Sequence, residues 1–298
     1  EGLSRLLSIA DAACYAAKDL GRNRVHVYQP DDMELAHRQG QMQWVARIRE
    51  ALDKDRLRLY FQTIAPATNA TSLSGHYEIF VRMLDQDDNI VPPGAFIPAA
   101  ERYNLMSEID LWVIRNALAW IGDQQRRNPE NIRLCSVNLS GASIGDDTCL
   151  REIQECFRRY DVDPRRVCFE ITETAAISNL RTATRFIKQM KAIGCRFALD
   201  DFGSGLSSFG YLKSLPVDYL KIDGTFIKDI DRNKMDAVMV QSINTIGHQM
   251  GLKTIAEFVE SDSILEVLRD LGIDYVQGYH IDRPRPLEQL EGVIFMPR

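Results

Sequence analysis

Two adjacent carboxylates, Asp200 and Asp201, end the apolar run 195–199 and are followed at once by Phe202-Gly203-Ser204-Gly205. Neighbouring carboxylates repel unless positive charge neutralises them. A strand that ends on such a pair and turns through glycine suits a metal or phosphoryl site. An acidic turn that caps the next helix uses the same residue types. More polar residues end other apolar runs: Asn138, Glu170, Lys221 with Asp223, Glu257 and Gln277. Oxygen donors without His or Cys favour hard cations such as Mg²⁺ or Mn²⁺. The doublet alone has enough oxygens for two ions about 3.5–4 Å apart. A lysine among these acids can orient a water or neutralise developing charge; an ion pair of Lys221 with Asp223 is the plainer reading. Glu173, three residues after Glu170, reads as a cap partner or as support behind the ligands. Gly203 and Gly205 give the following loop the freedom a lid needs. Glu78 and Arg82 stand four apart on a strand, hence on one face. There they can hold a metal and a substrate phosphate, or form an ordinary salt bridge.

The elements that carry these residues alternate. Apolar, β-rich runs occur near 57–64, 77–84, 134–139, 167–171, 197–199, 219–222, 254–256 and 275–276, and helical patterns fill 109–127, 150–160, 180–193, 236–250 and 263–271. Eight strands with helices between most of them predict an α/β fold, a TIM-like (β/α)₈ barrel. In such a barrel the strand ends named above converge on one rim. The stretch 65–76 is loop-like and too short for a helical crossover. The first two strands therefore form a hairpin, and one strand runs against the rest. An open doubly wound sheet fits less well, because no glycine-rich nucleotide loop follows an early strand. Residues 1–32 supply one small-residue helix and one short strand, too little for a core, and read as the tail of a domain cut off upstream; Glu1 is not a natural start. A helix over 33–52, with Val45, Ile48 and Leu52 on one stripe, serves as linker or first helix, and 53–298 is the barrel.

Composition narrows the function classes. The 298 residues carry a net charge of −6, which argues against a broad nucleic-acid-binding face and a polymeric nucleic acid partner. No apolar stretch approaches the ~20 residues of a membrane span. The six cysteines form no C-x-x-C pair and read as reduced core residues of a cytosolic protein. Asp201-Phe202-Gly203 spells a kinase signature, but no H-R-D loop accompanies it. The five histidines share no ligand spacing.

Six ordered motifs carry a resemblance. They are Glu78-Ile79-Phe80 with Val81-Arg82, Val137-Asn138-Leu139-Ser140, Glu170-Ile171-Thr172-Glu173 and Asp200-Asp201-Phe202-Gly203-Ser204-Gly205, then Leu220-Lys221-Ile222-Asp223 and Ala256-Glu257-Phe258-Val259-Glu260, with Gln277-Gly278-Tyr279 beyond them. With these, residues from about 36 to 298 resemble the EAL domain family of cyclic di-GMP-specific phosphodiesterases. Residues 1–30 are similar to the C-terminal end of a GGDEF diguanylate cyclase domain, without its catalytic signature. The resemblance implies hydrolysis of cyclic di-GMP to linear pGpG with two Mg²⁺ or Mn²⁺ ions, and inhibition by Ca²⁺. It implies Glu78, Asn138, Glu170 and Asp200 as ligands of one ion, and Asp200, Asp201 and Glu257 as ligands of the other. Lys221 matches the lysine that positions the nucleophilic water, with Glu78 and Glu257 beside it in catalysis. Glu173 matches the glutamate that steadies the loop. Gln62, Arg82, Asp223 and Gln277 match substrate contacts, and Phe258 can stack on a guanine. Phe80, Phe258 and Thr63 depart from the family's Leu, Gly and Pro, and none of them is a ligand. A homodimer, upstream GGDEF and sensor domains, and a cytoplasmic location with room for an inner-membrane anchor complete the expectation. The rival within it is a cyclic di-GMP receptor that has lost catalysis.

Overall fold

Strands form where β-branched, aromatic and other apolar residues cluster between turn residues. They are β1 (Leu57–Thr63), β2 (Ala65–Pro66), β3 (His76–Leu84), β4 (Ile90–Val91), β5 (Leu134–Asn138), β6 (Val167–Thr172), β7 (Arg196–Phe202), β8 (Tyr219–Ile222), β9 (Lys253–Ala256), β10 (Tyr275–Val276) and β11 (Arg285–Pro286). The structure is a computed structural model that describes residues 44–70, 75–203 and 209–292, together with Ala13, Val25 and Val27. The upstream remnant expected over 1–32 lies outside the described residues except at those three positions. Of the helix expected over 33–52, residues 44–53 are described and helical.

The chain divides into two compact units, one from residues 1–57 and 83–105, the other from 58–82 and 106–298. In the first, the 44–53 helix buries Ile48 and Ala51. Met83 and Leu84 pair antiparallel with β4. The helix Pro93–Arg102, which the sequence pattern did not reveal, buries Phe96, Ala99 and Ala100.

The second unit is the TIM-like barrel. Its sheet runs β1-β3-β5-β6-β7-β8-β9-β10-β2. Every neighbouring pair from β3 to β10 is parallel. β2 pairs antiparallel with β10 and continues the chain of β1, so the sheet returns to its starting strand. The Ile64 amide donates to the His76 carbonyl where the hairpin begins. One strand thus runs against seven, as the short 65–76 connection requires.

Helices Met106–Arg127, Asp147–Tyr160, Leu180–Ile193, Lys234–Gln249 and Asp262–Asp270 cross between the strands. Side chains of Asp146, Asn179, Asn233 and Ser261 cap four of them by accepting from first-turn amides. Inside, Ile64, Leu134, Cys168, Ala198, Tyr219 and Ile255 pack into one cluster. Cys135, Cys149, Cys156, Cys168 and Cys195 are buried thiols without a disulfide. Among the described residues no helix is long and apolar enough to cross a membrane.

Candidate active site

The register brings the polar strand ends together. Asn138 stands beside Glu170 across β5 and β6, and Thr172 beside Asp200 across β6 and β7. Between β7 and β8 the register shifts from Leu199 to Phe202, a bulge that falls on the aspartate doublet. Bulges of this kind turn side chains out of the regular alternation. Asp201 there takes a left-handed φ of 53°, and its amide donates to Asp200 Oδ1 at 3.0 Å. Asp200, Asp201 and Glu257 each offer an oxygen within 4.8 Å of the others.

Lys221 is the hub. It is fully buried, and its ammonium lies 2.5 Å from Glu170, 2.7 Å from Glu257, 3.1 Å from Glu78 and 3.2 Å from Asp200. The simpler pair with Asp223 does not form. Asp223 instead caps the turn Gly224–Phe226 by accepting from the Thr225 amide at 2.7 Å. Glu78 also accepts from the Asn138 amide at 2.7 Å and from Gln277 Nε2 at 2.9 Å. The Asn138 nitrogen is thereby used, which leaves its carbonyl oxygen for a cation.

Charge is badly balanced here. Four carboxylates contact one lysine and Asp201 adds a fifth beside Asp200, a formal excess of four negative charges in a site whose other members are buried or nearly so. Burial opposes the Lys221 ammonium, but Asp200, Glu170, Glu257 and Glu78 outweigh it and hold it protonated beyond the ordinary lysine range. Burial also works against the Glu78 charge, yet Lys221 and the Gln277 and Asn138 amides keep its carboxyl below the usual range. The others move up. Burial, then the Glu78 charge, raises Glu170 well above the usual range. Burial raises Asp200 too and lifts Glu257 to about 8. Burial and the Asp200 charge push Asp201 to about 6. Glu170 Oε1 is moreover buried with no hydrogen-bond partner. An unpartnered buried carboxylate oxygen costs several kcal/mol unless something cationic takes it. Two divalent cations would carry four positive charges, and the donors are all oxygen, the set that hard cations prefer. The residues fit such ions.

A cleft of about 380 Å³ opens over this cluster. Gln62, Glu78, Asn138, Asp200, Glu257 and Gln277 give it polar groups, while Phe80, Phe258 and Tyr279 give it aromatic ones. Arg82 lines it as well, with its guanidinium 5.4 Å from the ring centres of both Tyr60 and Phe80. Glu78 and Arg82 therefore share the cleft without an ion pair between them. Asp223 is the expected substrate contact that does not line it. Glu173 is buried and accepts from the Gly203 amide at 3.0 Å and the Tyr211 hydroxyl at 2.5 Å.

The departures from the family pattern acquire physical roles. The Thr63 hydroxyl donates to Asp282 Oδ2 at 2.7 Å, beside Gln62, whose amide donates to the Asp282 carbonyl at 2.8 Å. Phe80 supports Arg82. Phe258 keeps a left-handed φ of 53° although it is aromatic, is 47% exposed, and carries the Lys228 ammonium 4.6 Å from its ring centre. A non-glycine residue held there costs on the order of 1–3 kcal/mol, a strain found mostly at functional sites. Sequence reasoning missed Asp282, Tyr211 and Lys228. The first two act through contacts across 219 and 38 positions, which no local spacing announces.

The family described as EAL domain matches residues 45–284. The cyclic di-GMP phosphodiesterase PdeB of Shewanella oneidensis is 42% identical over 282 residues, which is 95% of this chain and 33% of the relative. PdeF of Escherichia coli, also named a cyclic di-GMP phosphodiesterase, is 34% identical over 81% of this chain and 32% of the relative. The chain thus spans about a third of the length of these curated relatives. A solved structure described as the PaMucR phosphodiesterase in complex with c-di-GMP superposes with a TM-score of 0.78 at 30% identity, covering 83% of this chain and 99% of the other.

Proposed function

We propose that this chain, which belongs to the EAL domain family, hydrolyses cyclic di-GMP to linear pGpG. The reading rests above all on the charge imbalance around Lys221: with Asp201 counted, four formal negative charges are in excess, and one buried Glu170 oxygen has no partner. Glu78, Asn138, Glu170 and Asp200 would hold one divalent cation, Mg²⁺ or Mn²⁺, and Asp200, Asp201 and Glu257 a second. Bound there, the ions make a water nucleophilic near neutral pH and offset charge on the phosphate and leaving oxygen. Lys221, pinned from four sides, directs its ammonium at the attacking water and cannot swing away. Arg82, supported on Tyr60 and Phe80, offers a fixed fork to a phosphate. Gln277 donates to both Gln62 and Glu78 and so ties the cleft wall to the ligand cluster. Phe258 and Tyr279 present aromatic surface suited to guanine rings. Water attacks phosphorus in line, one P–O3′ bond breaks, and the freed 3′ oxygen leaves as a hydroxyl while the phosphate stays on the 5′ carbon.

The same reading gives the full-length protein cyclase-like and sensor domains upstream of a barrel over 53–298, a homodimeric state and a cytoplasmic barrel. It also makes Ca²⁺ inhibitory, because its longer, looser coordination does not suit a tight oxygen cluster. Incubation with cyclic di-GMP, in Mn²⁺ and in excess chelator, followed by chromatography tests the activity. Conversion to pGpG in Mn²⁺ alone is the expected result. Cyclic di-GMP that stays bound and intact in Mn²⁺ would make the chain a receptor instead.

A further inference from the structure

The Glu173 carboxylate uses both of its oxygens on one connection. Oε2 accepts from the Gly203 amide at 3.0 Å, and Oε1 accepts from the Tyr211 hydroxyl at 2.5 Å. Gly203 directly follows β7, and Tyr211 lies in the turn Phe209–Ser214, before β8. One buried side chain therefore ties both ends of the connection that leaves the aspartate doublet. Its own backbone is fixed, because Glu173 opens the helix Glu173–Ser178 and Thr172 caps that helix on the Ala175 amide.

The doublet needs such a tie. Asp201 and Gly203 both have positive φ, 53° and 98°. A left-handed aspartate is uncommon in regular structure and is kept where its surroundings hold it. Room is tight at Gly203, where a Cβ would come within 2.9 Å of the Phe226 ring. The Gly203–Glu173 hydrogen bond lies two residues beyond Asp201, on the same left-handed turn of backbone. Glu173 holds Gly203 with one oxygen while its other oxygen is anchored. Tyr211 supplies that anchor. Burial and the Glu173 carboxylate keep the phenol protonated, so it serves as a donor throughout the working range.

We propose that Tyr211 is a positioning residue of the hydrolytic site, acting through Glu173 and Gly203 to hold the Asp201 carboxylate in the geometry of the second ion. The proposal rests on the assignment of Asp201 as a ligand. Tyr211→Phe removes one oxygen and keeps the ring. Mn²⁺ binding to the substrate-free chain, read by the loss of the free-ion electron paramagnetic resonance signal, should weaken about tenfold, the scale of one hydrogen bond to a charged group. The Mn²⁺ concentration for half-maximal turnover should rise in step, while the KM for cyclic di-GMP at saturating Mn²⁺ stays put, since Tyr211 does not line the cleft. Glu173→Ala should weaken Mn²⁺ binding at least as much. The double variant Glu173→Ala/Tyr211→Phe should bind as Glu173→Ala does, because the hydroxyl acts through that carboxylate. Unchanged Mn²⁺ binding in Tyr211→Phe, or losses that add in the double variant, would overturn the proposal while the site assignment stands. Failure of the unaltered chain to bind Mn²⁺ at all would instead overturn the site assignment, and this proposal with it.

Discussion

Lys221→Met should slow conversion of cyclic di-GMP to pGpG by about a hundredfold to a thousandfold, the loss seen when one electrostatic group aimed at a transition state is removed. Methionine nearly matches the volume and removes only the charge. The ammonium sits within 3.2 Å of Glu78, Glu170, Asp200 and Glu257, and among the described residues no other lysine or arginine pairs with these four. The same change should destabilise the metal-free chain by about 3–5 kcal/mol, the cost of breaking a buried ion pair on one side. Added Mn²⁺ should then restore more stability to the variant than to the unaltered chain, since the ions take over as counter-charge. Denaturant melts with and without Mn²⁺ read both effects. A variant that melts and turns over like the unaltered chain would remove Lys221 from the site.

Gly278→Ala should be the most damaging single methyl in the barrel rim. A Cβ there would stand 2.2 Å from both the nitrogen and the oxygen of Val259. Both are backbone atoms and cannot rotate aside. The two segments are also bonded to each other, since Val259 N donates to the Gln277 carbonyl and His280 N donates to the Val259 carbonyl, each at 3.0 Å. Relief of the clash must pry these bonds apart. Overpacking costs about 1–3 kcal/mol and each lost backbone bond about 1 kcal/mol more, so a loss above about 3 kcal/mol is expected in a denaturant melt. Gln277 moves with its neighbour, so turnover should fall in the folded fraction too. A loss below about 1 kcal/mol would show that the close approach of the two segments is not rigid.

The barrel was legible because each strand is a short apolar run between breakers, and because 65–76 is too short for a crossover. The helix Pro93–Arg102 was hidden by its own punctuation. Pro92 and Pro93 stand at its start, where proline is tolerated, but Pro98 inside it reads as a breaker. At the site, residue types gave the ligand candidates, and strand ends gave their convergence. What they could not give was the partner of Lys221. Asp223, two residues away, was the local choice, yet the lysine faces carboxylates on β3, β6 and β7 and just after β9. Tyr211 and Asp282 were invisible for a related reason. Each holds a partner that is distant in sequence, and a phenol or an aspartate in a loop carries no local mark of such a role. Thr63 and Phe258 were legible as departures, and Phe258 as a surface for guanine, but their contacts with Asp282 and Lys228 were not.

Within the doublet near the end of β7, Asp200 is the central residue, because it is the ligand shared between the two proposed ions. The decisive measurement is the rate of pGpG formation from cyclic di-GMP at saturating Mn²⁺ for the unaltered chain and for Asp200→Asn. The expected result is Mn²⁺-dependent conversion by the first and a fall of at least about a thousandfold in the second, since one substitution strips a ligand from both ions. No conversion by the unaltered chain, or conversion at a similar rate by Asp200→Asn, would contradict it.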